Sequence, residues 1–374
     1  MKTDPLAQFA RLVVKIGSSL LIDSEGALNR RWLAALLDDV VALRASGRQV
    51  LLVSSGSVAL GCTLLGLNRH RARLDDLQAA AAAGQIQLAH AYQELLAQRG
   101  IVVAQILLTP DETEIRRRFL NARGTLQKLL DLGAIPVINE NDTVATDELR
   151  YGDNDRLAAR VASMVMADGL ILLSDVDGLY SDDPRKNADA QHIDHVAKLG
   201  DDFVKMAKGS ATAFGSGGMK TKLQAARIAT RAGCTTLIAS GADDHPLRAL
   251  AAGARCTRID PDGTPAAARK QWLAGLLDVN GALRLDNGAH DALRTGNSLL
   301  AVGIAGVKGD FRRGDAVTLA LETGAEIGRG LVAYSSREIS SICGCRSEEI
   351  ASHLGYRGPA AVVHRDDLVL FNNA

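Results

Sequence analysis

Apolar residues along the first 260 positions gather in short runs instead of alternating with polar ones. Residues 12–16 (LVVKI), 50–53, 101–108, 134–138 and 169–173 are rich in Val, Ile and Leu, and Gly or polar residues close each run. Such runs predict strands buried on both faces, as in a parallel sheet covered by helices. Between them lie helical patterns at 31–45, 74–98, 116–132 and 156–166, and a further helix at 219–232 leads into a strand at 235–239. Strands alternating with helices of this length predict βαβ units. The expected fold is α/β, an open and mainly parallel sheet sandwiched by helices.

The pattern changes near residue 279. From there the chain shows short alternating segments separated by Gly, Asn and Asp, the signature of a smaller β-rich domain. Residues 260–268 (DPDGTPAAA) have the composition of a linker, and a helix is expected around 269–277. The expected division is 1–260 for the α/β domain, 261–278 for linker and helix, and 279–374 for the β-rich domain.

Composition narrows the function classes. The 374 residues carry 43 Lys plus Arg against 43 Asp plus Glu, so no global field favours nucleic acid or anionic lipid. Five scattered cysteines form no CxxC pair, which argues against a zinc site and a disulfide framework and fits a reducing cytoplasm. No protein metal site is expected. No run of 18 apolar residues marks a membrane span, and the first ten residues lack a signal-peptide core.

Ligands of open α/β sheets bind beyond the carboxyl ends of the strands. Here those ends hold the unusual residues. The first strand ends Lys15-Ile16-Gly17-Ser18-Ser19, and the second Ser54-Ser55-Gly56-Ser57. The fourth runs into NENDTVATDELRYGDND, residues 139–155, of which six of seventeen are acidic. The fifth ends Ser174-Asp175-Val176-Asp177-Gly178, and GSGGMKTK at 215–222 opens a helix. Backbone N–H groups at helix starts, with lysines, suit phosphate oxygens. Carboxylates opposite suit Mg²⁺ or an ammonium group. Both signs of charge in one place fit phosphoryl transfer from a nucleotide.

Three familiar motifs are absent or out of context. GSGGMKTK lacks the Walker A spacing, no GxGxxG follows the first strand, and His364-Arg365-Asp366-Asp367 lies too near the C-terminus for a protein-kinase catalytic loop.

LVVKIGSS, VSSGSVALG, RFLNAR, PVINENDTVAT, YGDNDRLAA, LLSDVDGLY and GSGGMKTKLQAA occur in that order and resemble the motifs of the glutamate 5-kinases, in the amino-acid kinase superfamily. DNGAHDAL, GNSLLAVGI, FRRGDAV and HRDD resemble the PUA domain of the bacterial members. The resemblance implies an amino-acid kinase fold followed by a PUA domain, and ATP-dependent phosphorylation of the side-chain carboxylate of L-glutamate, with Mg²⁺. That reaction begins proline biosynthesis, so proline is an expected feedback inhibitor, and a cytoplasmic homo-oligomer is expected.

By the same resemblance Ser55, Asp142 and Asn154 bind glutamate, with Gly56, Glu140 and Asp153 close by. Ser174, Asp175, Ser216, Gly217, Gly218, Met219, Lys220, Thr221 and Lys222 hold ATP together with Lys15. Lys15 and Lys222 neutralise charge on the transferred phosphoryl group, and Asp155 orients them. Lys220 departs from the family motif, which commonly has a small residue there.

Two alternatives stay open: another acid as substrate of an amino-acid kinase, or an RNA-binding PUA protein with a degenerate kinase domain. Residues 281–374 carry ten Lys/Arg against eleven Asp/Glu, a net charge of −1, which argues against an RNA surface despite Lys308, Arg312 and Arg313.

Overall fold

The apolar runs form the strands of a covered sheet. The computed structural model describes residues 4–69, 71–144, 154–184, 187, 189–200, 218–274 and 279–371. The first of two units spans Met1–Pro265. It opens with β1 (Arg11–Ile16), α1 (Ser18–Leu21), α2 (Arg30–Ala45), β2 (Gln49–Val53), α3 (Ser57–Leu65), α4 (Leu74–Ala97), β3 (Val103–Leu108) and α5 (Pro110–Glu114). Next come α6 (Arg116–Asp131), β4 (Ile135–Glu140), α7 (Asn154–Met164), β5 (Gly169–Ser174) and three two-residue strands, β6 (Leu179–Tyr180), β7 (His192–Ile193) and β8 (His195–Val196). The described part of the unit closes with α8 (Met219–Arg231), β9 (Thr235–Ser240), α9 (Pro246–Ala251) and β10 (Cys256–Ile259).

The main sheet has the order β3-β4-β2-β1-β5-β9-β10-β8. It is parallel except where β10 runs against β9. Successive strand residues face opposite sides, so each strand feeds two cores. Val14, Ile16 and Leu52 pack with Leu33 and Leu36 of α2 and Leu88 and Tyr92 of α4. Val13, Leu51 and Val53 pack with Leu126 of α6, Leu157 and Val161 of α7 and Leu223 of α8. Helices thus cover both faces, as the apolar runs require. No helix among the described residues is long and apolar enough to cross a membrane.

Two boundaries differ from expectation in ways that matter for the site. Asn139 and Glu140, expected to begin the acidic loop, are the last residues of β4, because Leu107 and Leu108 of β3 keep them in register. A helix, α10 (Pro265–Ala274), begins inside the stretch expected to be linker. Proline suits a first helical position, and the alanines after it propagate the helix. The residues just before α10 lie on the first unit: Asp262 N–H donates to Thr230 O at 3.0 Å.

The second unit spans Ala266–Ala374. It contains β11 (Gly281–Leu285), α11 (Asn287–Arg294), β12 (Leu299–Leu300), β13 (Ile304–Gly309), β14 (Ala316–Leu321), β15 (Glu326–Leu331), α12 (Ser336–Ile342), α13 (Ile350–Leu354), β16 (Ala361–Val363) and β17 (Leu368–Leu370). A five-stranded sheet, β13-β11-β14-β15-β17, closes over its own core around Phe311, Tyr334 and Ile339. Arg269 of α10 pairs with Asp367 at 2.7 Å, which ties that helix to this unit.

Candidate active site

The chain leaves β1 toward β2 on one side and later returns to β5 on the other, so the crevice beyond β1 and β5 is the switch point of the sheet. Lys15, next to last in β1, shares the face of Val13 under α7 and α8. Its Nζ lies 2.6 Å from Asp155 Oδ1, and Lys222 Nζ lies 3.2 Å from Asp155 Oδ2. Thr221 Oγ1 donates to the same Oδ2 at 3.2 Å. Asp155 is wholly buried and both lysines nearly so, at 5% exposure.

Burial opposes ionisation of Asp155 most strongly. The ammonium groups of Lys15 and Lys222 outweigh it and hold the carboxyl at about 2, below its ordinary 3.8. One carboxylate thus lies between two buried ammonium groups. Such a site favours an anion, and the phosphates of a nucleotide supply one.

Asn154 precedes Asp155 as the first residue of α7 and serves a different set of partners. Its Nδ2 faces Ser54 O at 2.6 Å, Ser55 Oγ at 3.0 Å and Asn139 Oδ1 at 2.8 Å. Asn139 Oδ1 also accepts from Glu140 N–H at 2.9 Å. Asn139 Nδ2 donates to Gln85 Oε1 at 2.7 Å and to Ser57 Oγ at 3.2 Å. The ends of β2 and β4 and the start of α7 are thereby stitched together by amides and hydroxyls. At the turn after β2, Gly56 has φ 106°, and a Cβ there would stand 3.2 Å from Ile22 Cδ1, so the turn requires glycine.

The remaining predicted residues distribute around these two clusters. Ser174, at the end of β5, donates to Asp175 Oδ1 at 2.8 Å. Gly218 precedes α8, and its carbonyl accepts from Thr221 Oγ1 at 2.8 Å. Met219 packs against the core under α8, whereas Lys220 is exposed. Glu140 is buried, and Asp142 is half-buried in the turn after β4. Asp153, Ser216 and Gly217 lie outside the described residues.

Sequence reasoning passed over Gln85 and Tyr92 of α4, and took neither Asn139 nor Ser57 as a site residue. Only a polar residue just after the alanine run at 79–83 and Gly84 hints at Gln85.

Residues 10–240 match the amino acid kinase family and residues 281–354 the PUA domain. Glutamate 5-kinase 1 of Rhizobium meliloti (strain 1021) is 53% identical over 365 residues, covering 98% of this chain and 93% of that protein. Glutamate 5-kinase of Paramagnetospirillum magneticum (strain ATCC 700264 / AMB-1) is 54% identical over 367 residues, covering 98% of this chain and 99% of that protein. Among solved structures, a carbamate kinase from Giardia lamblia bound to AMP-PNP aligns with a TM-score of 0.49 at 16% identity, over 68% of this chain and 99% of that one. With about half of its residues identical to these relatives across nearly its whole length, the chain belongs to the glutamate 5-kinase family, within the amino acid kinases.

Proposed function

We propose that the protein transfers the γ-phosphoryl group of ATP to the side-chain carboxylate of L-glutamate, giving L-glutamyl 5-phosphate and ADP. The observation that carries this is the adjacency of Asn154 and Asp155. One residue belongs to the amide cluster and the next to the lysine pair, so α7 sets an amino-acid site beside a phosphoryl site.

A carboxylate oxygen of glutamate attacks the γ-phosphorus while the bond to the bridging oxygen of ADP breaks. The nucleophile is already an anion, so no general base is required. Lys15 and Lys222 stabilise the negative charge on the transferring group, and Asp155 holds both in place. Ser55, Asp142 and Asn154 receive the amino acid, with Gly56, Glu140 and Asp153 beside them. Ser174, Asp175 and residues 216–222 receive the nucleotide. The buried carboxylate of Asp155 is engaged by both lysines and is a poor ligand for a metal. Mg²⁺ is therefore assigned to the nucleotide phosphates, where it offsets their charge.

Proline as feedback inhibitor, homo-oligomeric assembly and a cytoplasmic location extend the same proposal. The RNA-binding alternative has no support from charge in the second unit, whose net is −1 over residues 281–374. The test is turnover with ATP and Mg²⁺ in hydroxylamine, which traps an acyl phosphate as a hydroxamate. L-Glutamate should give the hydroxamate, and faster turnover of aspartate, N-acetylglutamate or UMP would refute the assignment.

A further inference from the structure

Helix α4 sends two polar side chains to the strand ends. Gln85 and Tyr92 stand two turns apart and so share a face. The buried Tyr92 hydroxyl donates to Ser54 Oγ at 3.0 Å, and Gln85 Oε1 receives Asn139 Nδ2 at 2.7 Å. The helix can come this close because of Gly84, where a Cβ would stand 1.9 Å from Ser57 O.

The direction of each hydrogen bond can be followed through this cluster. A backbone N–H only donates, so the Glu140 N–H fixes Asn139 Oδ1 as its acceptor. Asn139 Nδ2 must then be the donor, and Gln85 Oε1 and Ser57 Oγ its acceptors. A hydroxyl can donate as well as accept, so Ser57 alone does not dictate the orientation. The Gln85 amide accordingly turns its Oε1, and not its Nε2, toward this donor. With Asn139 held this way, its Oδ1 also receives Asn154 Nδ2. Ser54 O is a backbone carbonyl and can only accept, so it fixes Asn154 Nδ2 as the donor. Its two hydrogens are shared among Ser54 O, Asn139 Oδ1 and Ser55 Oγ, which leaves Asn154 Oδ1 to serve as an acceptor. An acceptor is what an α-ammonium group requires.

We infer that Gln85 is a positioning residue for the acceptor amino acid: by accepting from Asn139 Nδ2 it anchors the Asn139 amide that braces Asn154, whose oxygen is left for the α-ammonium of the substrate. The inference rests on glutamate being that substrate. Gln85 itself touches no reacting atom.

Gln85→Met keeps length and removes the acceptor, whereas Gln85→Glu keeps an acceptor oxygen. The half-buried position tolerates both without loss of the fold, which a melting curve checks. Gln85→Met should raise the KM for L-glutamate about tenfold, since a buried donor loses its partner. Its kcat and its KM for ATP should stay within about twofold of wild type, and Gln85→Glu should restore the glutamate KM. Glutarate, which lacks the ammonium group, should inhibit Gln85→Met and wild type equally. An unchanged glutamate KM in Gln85→Met overturns the inference, as does an equal rise in both variants or a fall confined to kcat. Wild-type protein that does not phosphorylate glutamate overturns the functional proposal and this inference together. Wild-type turnover with an unaffected Gln85→Met overturns this inference alone.

Discussion

Replacing Asp155 by Asn, with Lys15 and Lys222 left in place, removes the carboxylate that two buried ammonium groups share. Breaking a buried ion pair in this way costs about 3–5 kcal/mol, so Asp155→Asn should unfold at distinctly lower urea than wild type. The pH dependence has a definite sign. The folded carboxyl sits at about 2, below its ordinary 3.8, so its contribution is fully present above about pH 4 and is lost as pH falls toward 2. The stability gap between wild type and Asp155→Asn should therefore narrow as pH falls from about 4 toward about 2, and a constant gap would mean that Asp155 is not held ionised by the lysines. Lys15→Ala and Lys222→Ala should each lower kcat by about 10²-fold or more, measured by ADP release, if each supplies several kcal/mol to the transition state. Lys220→Ala should stay near wild type, because its side chain is exposed on a different face of α8 from Lys222.

At the scale of elements, α4 and α7 position what the strands present. Gly84→Ala gains helix propensity but forces a methyl to within 1.9 Å of Ser57 O. Overpacking of that kind costs about 1–3 kcal/mol, so a thermal melt should show net destabilisation, and a more stable variant would contradict the close approach of α3 and α4. The central strands were legible in the sequence because burial on both faces leaves a nearly continuous apolar run, as in LILL at 170–173. The two-residue strands β6, β7 and β8 carry too few residues for any periodicity and were missed, as was the antiparallel β10. Lys15 and Lys222 stood out as lysines at a strand end and a helix start, but they lie 207 positions apart, and nothing local in either stretch says that one carboxylate joins them. Asn139 looked like loop because its β3 partner, Leu107, lies far back in the chain. Gln85 was illegible for a related reason, since a glutamine on an Ala-rich helix reads as surface until the helix is seen packed on strand ends.

Every site residue named above belongs to the first unit of the molecule, and each unit has its own buried core. A protein ending after Pro265 should fold and turn over glutamate, because it keeps the contact of Asp262 with Thr230 that a cut at Pro261 would remove. A soluble, cooperatively folded truncation without turnover would show that the β-rich unit completes the site. The central claim is that α7 divides the work of the molecule between its first two residues, with Asn154 holding the amino acid and Asp155 serving phosphoryl transfer. Steady-state kinetics of Asn154→Ala beside Asp155→Asn test it most directly. Asn154→Ala should raise the KM for glutamate about tenfold or more with the KM for ATP little changed, whereas Asp155→Asn should lower kcat with the KM for glutamate little changed. If both variants alter the same parameter in the same proportion, the two clusters act as one and the division is wrong.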